Sequence, residues 1–394
     1  MRTWDVVVVG GGPAGSAAAR AAAQAGGAVL LLEAEQFPRF KPCAGGVTAA
    51  ALAELAATGQ PAPPEVLGRL CRSIRPRYAE LSVTVNRDEP VVAVVRRAAF
   101  DDYLLSRARA AGAEVRHGVR VEEVRQGREG VTLRTSRGPV EARVVIGADG
   151  AQSRVARAVR PAFRRADLGV CQVAELNLRP EAHEAFFEHG LEVRYGDVPG
   201  GYTWIFPTAT GLNVGLGSLS PGLTSLRHHF SSFLAAAGLP EPERVRGAVL
   251  PLGGRRHTVR AGRILLAGDA AGVADPFTGE GIRYALISGR LAGECAMEAL
   301  QRAPDAPDLS AYAGRCEAAF GTDLRYAFLL GRLFLKLPGL LNRPVFRHPG
   351  LFSRVADILQ GRETYQGMAG KLGQSLPGYW LRGLTQRAGV TRGT

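Results

Sequence analysis

The sequence predicts an α/β protein, α+β overall. A parallel-sheet nucleotide-binding domain is interleaved with a domain built on an antiparallel sheet, and a helical C-terminal region follows. Three observations predict this. A β-branched run, "DVVVVG", leads into the alanine-rich "AGSAAARAAAQAG" and then into a second apolar run, "AVLLLEA", the pattern of a βαβ unit. Between about 165 and 254 the chain changes to short alternating runs joined by turn residues, as in an antiparallel sheet. From about 301 the chain reads as helices with apolar stripes, broken by prolines.

In chain order, the first run reads as a buried parallel strand. The alanine segment reads as a helix that stops at Gly26 and Gly27. Gly10-x-Gly12-x-x-Gly15 joins the two. Gly10 allows the tight turn, Gly12 lets the backbone approach a pyrophosphate, and Gly15 permits close packing of helix on strand. The helix start adds free N–H groups and a positive dipole end. Glu33 closes the second strand 18 residues after Gly15, placed to accept from ribose hydroxyls. Together these make a Rossmann-like dinucleotide site rather than a chance glycine turn.

"FPRFKPCAGG" follows, with Cys43 between a proline and a glycine pair. "VTAAALAELAATG" reads as a helix, "QPAPPEV" as a loop, and "LSVTVNR" and "PVVAVVRR" as strands. "AAFDDYLLSRARAAGAEV" reads as an amphipathic helix leading to a strand, and "VTLRTSR" with "VEARVVIGADG" as a hairpin returning to the main sheet. In "GADGAQSRVAR" Asp149 is placed to orient a loop or a helix start. "VAELNLR", "LEVRYGD", "GYTWIFPT" and "LNVGLGSL" are the antiparallel strands. "RILLAGDAAGVADPFTGEGIRYAL" then returns to strand–loop–helix. Its strand delivers Asp269 to the sheet edge where ligands sit, well placed to bond a polyol. The helix beginning near Gly281 and Ile282 presents N–H groups to an anion, which suits the negatively charged N1–C2=O edge of a reduced flavin. No repeat of fixed period is found.

Composition narrows the function classes. Of 394 residues 46% are hydrophobic, enough for a large core, and 50 glycines with 24 prolines mark many tight turns. The net charge is +13 and the pI about 10.1, carried almost wholly by scattered arginines. No basic run of nucleic-acid type occurs, so no nucleic-acid partner is expected, whereas contact with an anionic lipid surface suits the charge. The five cysteines form no CxxC pair, which argues against a zinc site or dithiol motif and fits a reducing cytosol. No metal site is expected. Asp5 interrupts any signal peptide, and no uncharged apolar run reaches the roughly 18 residues of a membrane span. The expected location is cytoplasmic, with peripheral contact on the inner face of the membrane through the basic-apolar stretch 325–352. The competing reading of that stretch is a helical lid with snorkelling arginines.

The set "GGGPAG", "RAAFD", "GADGAQSRVAR" and "AGDAAGVADPFTGEGIRYA", over about residues 5–300, resembles the FAD-dependent oxidoreductases of p-hydroxybenzoate-hydroxylase-like fold. "FPRFKPCAGG", "GGYTWIFPT" with "LNVGLG", and the late "ILQGRETY" resemble the geranylgeranyl reductase family more closely. The resemblance implies a flavin-dependent reductase that saturates isolated C=C bonds of a geranylgeranyl or other polyprenyl chain. The chain would belong to a lipid, a chlorophyll tail, a quinone or a prenyl diphosphate. It implies FAD as cofactor, with NAD(P)H or another reductant as electron donor. The alternative on the same fold is an FAD-dependent monooxygenase or halogenase. A halogenase needs a positioned lysine, and Lys41 is the only one in the first 300 residues.

By the same resemblance Gly10, Gly12, Ala14 and Gly15 belong to the dinucleotide turn, and Glu33 binds the adenosine ribose. Cys43, Ala44 and Gly46 lie along the FAD, Arg97 meets it from a helix start, and Val121 contacts the adenine side. Asp269 bonds the ribityl, and Gly281 with Ile282 faces the isoalloxazine. Two departures stand out: Ala44 where the family loop more often has glycine, and Thr208 where the tryptophan strand usually continues with lysine. The expected division is an FAD-binding domain of 1–75, 97–160 and 255–300, a substrate domain of 76–96 and 161–254, and a helical region of 301–394.

Saturating an isolated alkene joins hydride transfer to protonation in a dry site, because no conjugated carbonyl takes up the charge. Cys43 is one candidate acid, although a free thiol with a pKa of about 8.5 is poorly matched to the task. Otherwise it packs beside the ring while water is the acid. Tyr202 and Trp204 alternate with Thr203 and so share one face of a strand. They form either the aromatic wall of a prenyl tunnel or ordinary sheet core. Oligomeric state is not legible.

Overall fold

The structure, a computed structural model, describes residues 3–178, 190–220, 223, 225–336, 345–346 and 350–371. The main sheet has the parallel order Ile264–Leu266, Gly138–Gly147, Thr3–Val9, Val29–Glu33, Glu114–His117. Val6, Val7 and Val8 are fully buried in it, as expected of strands covered on both faces. The strands Val121–Gln126 and Val131–Thr135 extend it antiparallel to Gly138–Gly147, which forms the returning hairpin the sequence predicts.

Helix Pro13–Gln24 packs on this sheet and along the long helix Ile282–Arg302, which also touches Thr3–Val9 and Gly138–Gly147. The alanine-rich sequence is what lets the two helices approach. A side chain at Gly289 would strike the Ala14 backbone, and Gly293 faces Ala18 and Ala22 in the same way. Small residues on both partners therefore set the interaxial distance.

The second sheet runs Arg246–Pro251, Leu168–Asn177, Gly211–Ser218, Gly201–Pro207, Leu191–Tyr195, Ser73–Tyr78, Leu81–Ser82. Its pairs are antiparallel except Leu191–Tyr195 with Ser73–Tyr78, which is parallel. A small third sheet joins Gly46–Thr48, Val92–Val94 and Arg69–Cys71.

Two expectations differ locally. "LSVTVNR" is not one strand but two short pieces, Leu81–Ser82 and Val85–Asn86, both folded back on Ser73–Tyr78. The partner position between them is Pro76, which accepts from the Val83 N–H at 3.1 Å but has no N–H to donate in return, so half of the paired bonds is missing there. "QPAPPEV" is not all loop: Pro64–Leu67 forms a helical turn, with proline at its first position where no N–H is needed.

Beyond residue 301 the described chain is helical, with Ala311–Cys316, a π turn at Glu317–Gly321, Thr322–Lys336, Gly350–Leu359 and residues 365–371. Phe334, Phe352, Val355 and Tyr365 pack from here onto the second sheet's apolar cluster. Part of the stretch 325–352, residues 337–344 and 347–349, lies outside the described residues.

Candidate active site

One cavity of about 1140 Å³ runs between the main sheet and the second sheet. Its wall combines two chemistries: Gly10, Gly12, Ala14, Glu33, Arg97, Val121 and Asp149 from the first glycine turn and its surroundings, and the aromatic Tyr195, Tyr202, Trp204, Phe206, Phe277 and Phe352. Cys43, Ala44, Gly46, Asp269, Glu280, Gly281 and Ile282 also line it.

Gly10 has φ +101 and Gly15 packs directly against the Gly10 carbonyl, so both positions exclude a side chain. Gly12 differs: the nearest atom to an added Cβ is Arg39 Nη2 at 3.7 Å. Space is therefore open over Gly12, where a pyrophosphate would approach. Ala14 packs against Gly268 in the turn that carries Asp269, which ties the first glycine turn to the second. Gly15 lies behind the cavity rather than on its wall.

Glu33 is buried, and its carboxylate braces the glycine turn. Oε2 accepts from the Gly11 N–H at 2.7 Å and Oε1 from the Glu35 N–H at 2.8 Å. Asp149 does similar work: it accepts from the N–H groups of Arg154 at 2.6 Å and Val155 at 3.2 Å, capping the 3-10 turn Val155–Ala158. Arg97 starts the helix Arg97–Ala110 and forms a two-pronged pair with Asp101, at 2.8 Å for both Nε and Nη2. Arg39 joins the same carboxylate at 3.2 Å. Burial opposes the Arg97 charge, but Asp101 and then Cys43 outweigh it and raise its pKa.

The Cys43 loop is held from both sides. Its sulfur accepts from the Gly45 N–H at 3.4 Å, and its carbonyl accepts from Asn213 Nδ2 at 2.9 Å. Asn213 Oδ1 in turn accepts from the Trp204 indole N–H at 2.9 Å. The aromatic strand is thus hydrogen-bonded through Asn213 to the cysteine loop. Tyr202, Trp204 and Phe206 lie on one face, with successive ring centroids 6.3 and 6.4 Å apart. Thr203 points the other way and donates to Asp197 at 2.7 Å. Trp204 pairs in register with Gly215 and Tyr202 with Gly217, and any Cβ at Gly215 would clash with the indole. The glycines of "LNVGLG" are therefore the seat of the tryptophan ring.

Asn213→Ala would cut this link while leaving the aromatic face in place. We expect an approximately 10-fold to 100-fold loss of turnover with FAD content retained, because displacing a site loop by about 1 Å costs that order. Steady-state kinetics normalised to bound FAD check it.

The loop Asp275–Gly281 carries side chains that the sequence reading did not single out. Asp275 is buried and accepts four donors: the N–H groups of Phe277 at 2.7 Å and Thr278 at 3.2 Å, the Thr278 hydroxyl at 2.8 Å and the Tyr365 hydroxyl at 2.6 Å. Tyr365 belongs to the late "ILQGRETY", whose place in the fold is now apparent: it pins the C-terminal helices to this loop. Glu280 is also buried. Its Oε1 accepts from the Thr48 hydroxyl, while its Oε2 has no hydrogen-bond partner. Gly281 caps helix Ile282–Arg302 without any side-chain cap. The signals for Glu280 and Asp275 were present as "DPFTGEG", but burial and partners 232 and 90 residues away cannot be read from spacing.

Residues 3–196 match the FAD binding domain family. Digeranylgeranylglycerophospholipid reductase 2 of Methanothermobacter thermautotrophicus is 36% identical over 306 residues, covering 72% of this chain and 74% of that one. The chain belongs to the geranylgeranyl reductase family of FAD-dependent oxidoreductases. Menaquinone reductase of Mycolicibacterium smegmatis is 35% identical to this reductase over 286 residues, 67% of this chain and 69% of that one. A geranylgeranyl bacteriochlorophyll reductase-like protein of Thermoplasma acidophilum has the same fold, with a TM-score of 0.79 at 22% identity over 96% of this chain and 98% of that one. A flavin-dependent brominase shares it at a TM-score of 0.71 and 19% identity over 91% and 94%.

FAD is the cofactor of this reductase, and the open approach over Gly12 together with the uncapped start of Ile282–Arg302 fits such a group. Among the described residues no helix is long and apolar enough to cross a membrane, and no His/Cys/Asp/Glu group could hold a metal.

Proposed function

We propose that the protein saturates isolated C=C bonds of a geranylgeranyl or other polyprenyl chain. The chain is carried by a lipid, a chlorophyll tail, a quinone or a diphosphate. The observation that carries this reading is one cavity whose wall holds both the glycine turn of a dinucleotide site and a set of aromatic side chains. The relatives' names point the same way: one is a reductase of a digeranylgeranylglycerophospholipid, the other of menaquinone.

Reduced FAD supplies the hydride. The residues supply the rest. Gly10 to Gly12, braced by Glu33, would hold the dinucleotide, with Arg97 beside the cofactor, Val121 toward its adenine side and Asp269 available to its polyol. The start of Ile282–Arg302 would offer N–H groups and a positive dipole end to the negative charge of the reduced cofactor. Tyr195, Tyr202, Trp204, Phe206 and Phe352 hold an apolar chain and exclude water, which keeps the developing charge from being quenched. The Tyr202 hydroxyl is turned away from that chain, donating to the Thr278 carbonyl at 2.6 Å. The electron donor is NAD(P)H or another reductant. Leu329 and Leu333, 62% and 51% exposed on helix Thr322–Lys336, together with the excess arginine, support contact with the anionic inner face of a membrane.

Mass spectrometry tests the reading. Protein loaded with FAD and incubated with geranylgeranyl compounds and dithionite is expected to add two hydrogens per bond. Gain of oxygen or halogen in air would assign the monooxygenase or halogenase alternative instead.

A further inference from the structure

Hydride addition to an alkene leaves one carbon in need of a proton, and the cavity wall holds few groups able to give one. We propose that Glu280, in its protonated form, is the acid that delivers this proton. The inference rests on the reductase reading above.

Among the described carboxyl groups on the cavity wall, Glu280 alone has a buried oxygen without a hydrogen-bond partner, Oε2, and the residue is only 8% exposed. It sits where three walls meet. Thr48, on the strand that follows the cysteine loop, donates to Oε1. The neighbouring Thr278 carbonyl and Gly279 are packed under the Tyr202 hydroxyl. The next residue, Gly281, begins the helix that faces the cofactor. A carboxyl at this junction lies on the cavity wall beside both the helix start at Gly281 and the loop under Tyr202.

The competitors are occupied or unsuited. Asp275 has both oxygens engaged by four donors. Tyr202 is committed to the Thr278 carbonyl, and burial raises its pKa and that of Tyr195. Burial also pushes the Cys171 thiol up to about 12. The Cys43 sulfur is engaged as an acceptor by the Gly45 N–H. Asp149 caps the turn Val155–Ala158.

The charges around Glu280 oppose one another. Burial pushes its pKa up to about 7, the Thr48 hydrogen bond and Arg283 pull it down, and Asp275 adds to the rise. Tyr284, on the same helix as Arg283, is itself raised in part by Glu280. The acid form therefore dominates below about pH 7 and is lost above it, near the pH where an acid catalyst works best.

The step balances. The alkene π pair takes the Glu280 proton and forms one C–H bond, and the hydride from reduced FAD forms the other. Glu280 is left as a carboxylate and recovers its proton from water.

The test uses the FAD-loaded protein reduced without oxygen and mixed with a geranylgeranyl lipid, with rates expressed per bound FAD. Wild-type saturation is expected to fall tenfold per pH unit above about pH 7. Glu280→Gln keeps an acceptor for Thr48, so a purely structural role predicts a near-normal rate, whereas loss of the acid predicts a fall of about 10²-fold to 10⁴-fold with the pH dependence gone. Glu280→Asp is expected to recover part of the rate. In parallel, carbon-13 NMR of glutamate-labelled, FAD-free protein should contain one carboxyl titrating near pH 7 that either variant removes. A Gln variant with wild-type rate and profile, or no carboxyl titrating near 7, overturns the proposal alone. Wild-type protein that saturates no prenyl chain overturns the reductase reading as well.

Discussion

Gly10→Ala is expected to abolish FAD retention and to destabilise the protein, whereas Gly12→Ala is expected to weaken FAD alone. The two glycines sit two residues apart in the same turn and differ in physics. Gly10 has φ +101, a conformation that costs a side chain about 1–2 kcal/mol, and an added Cβ would stand 2.7 Å from the Ala148 carbonyl carbon and 3.0 Å from Asp149 Cα. Neither neighbour is a side-chain tip that can swing aside. The strand Gly138–Gly147 would have to shift away from Thr3–Val9, and with it the turn that holds Asp149. At Gly12 the added methyl meets nothing nearer than 3.7 Å, so the apoprotein accepts it. The methyl then fills the space the pyrophosphate needs. Thermal unfolding of the apoproteins should place Gly12→Ala within about 0.5 kcal/mol of wild type and Gly10→Ala well below it. FAD titration should find both weakened by about 100-fold or more, equivalent to ~2.7 kcal/mol. Equal apoprotein stabilities would contradict the division of roles.

Asp275→Ala is expected to be the most destabilising single change in the second glycine loop. Four donors converge on this carboxylate, and removing it leaves two backbone N–H groups and two hydroxyls without an acceptor. A hydrogen bond to a charged group contributes about 1.5–3 kcal/mol and an orphaned buried donor costs ~1–3, so a loss of at least about 3 kcal/mol follows even with partial relaxation. The same change frees Thr278, on whose carbonyl Tyr202 rests, and unpins Tyr365 from the loop. Tyr365→Phe removes one donor only and should cost about 1–2 kcal/mol. Denaturant unfolding of the two variants, with FAD content measured alongside, checks the ranking. A Tyr365→Phe variant as unstable as Asp275→Ala would mean that the C-terminal contact, not the carboxylate, holds the loop.

The fold was legible where local pattern decides it. The βαβ unit announced itself by two apolar runs around an alanine helix, and the substrate sheet by the alternation of Tyr202, Thr203 and Trp204. The pattern failed at Pro76, where a missing N–H splits the facing strand although its own sequence alternates well. Around the cavity the glycines were visible because each carries a steric demand that spacing reveals. Asn213, Glu280 and Asp275 were not. Their roles depend on partners brought close only by the packing of the two sheets: Cys43 for Asn213, Thr48 for Glu280, Tyr365 for Asp275. Burial of a carboxyl between two glycines leaves no periodic trace. Trp204 shows an intermediate case. Its position on the strand was readable, and the glycine opposite it was quoted in "LNVGLG", yet the fit of ring over Gly215 required the register.

On the proposed reading, a bound flavin and an apolar chain meet in one cavity and exchange reducing equivalents directly. Anaerobic mixing of the dithionite-reduced, desalted protein with a geranylgeranyl lipid tests it most directly. The oxidised flavin spectrum is expected to return without oxygen, in step with a gain of two hydrogens in the lipid for each flavin reoxidised. A flavin that stays reduced until air is admitted, with the lipid unchanged before that point, would contradict it.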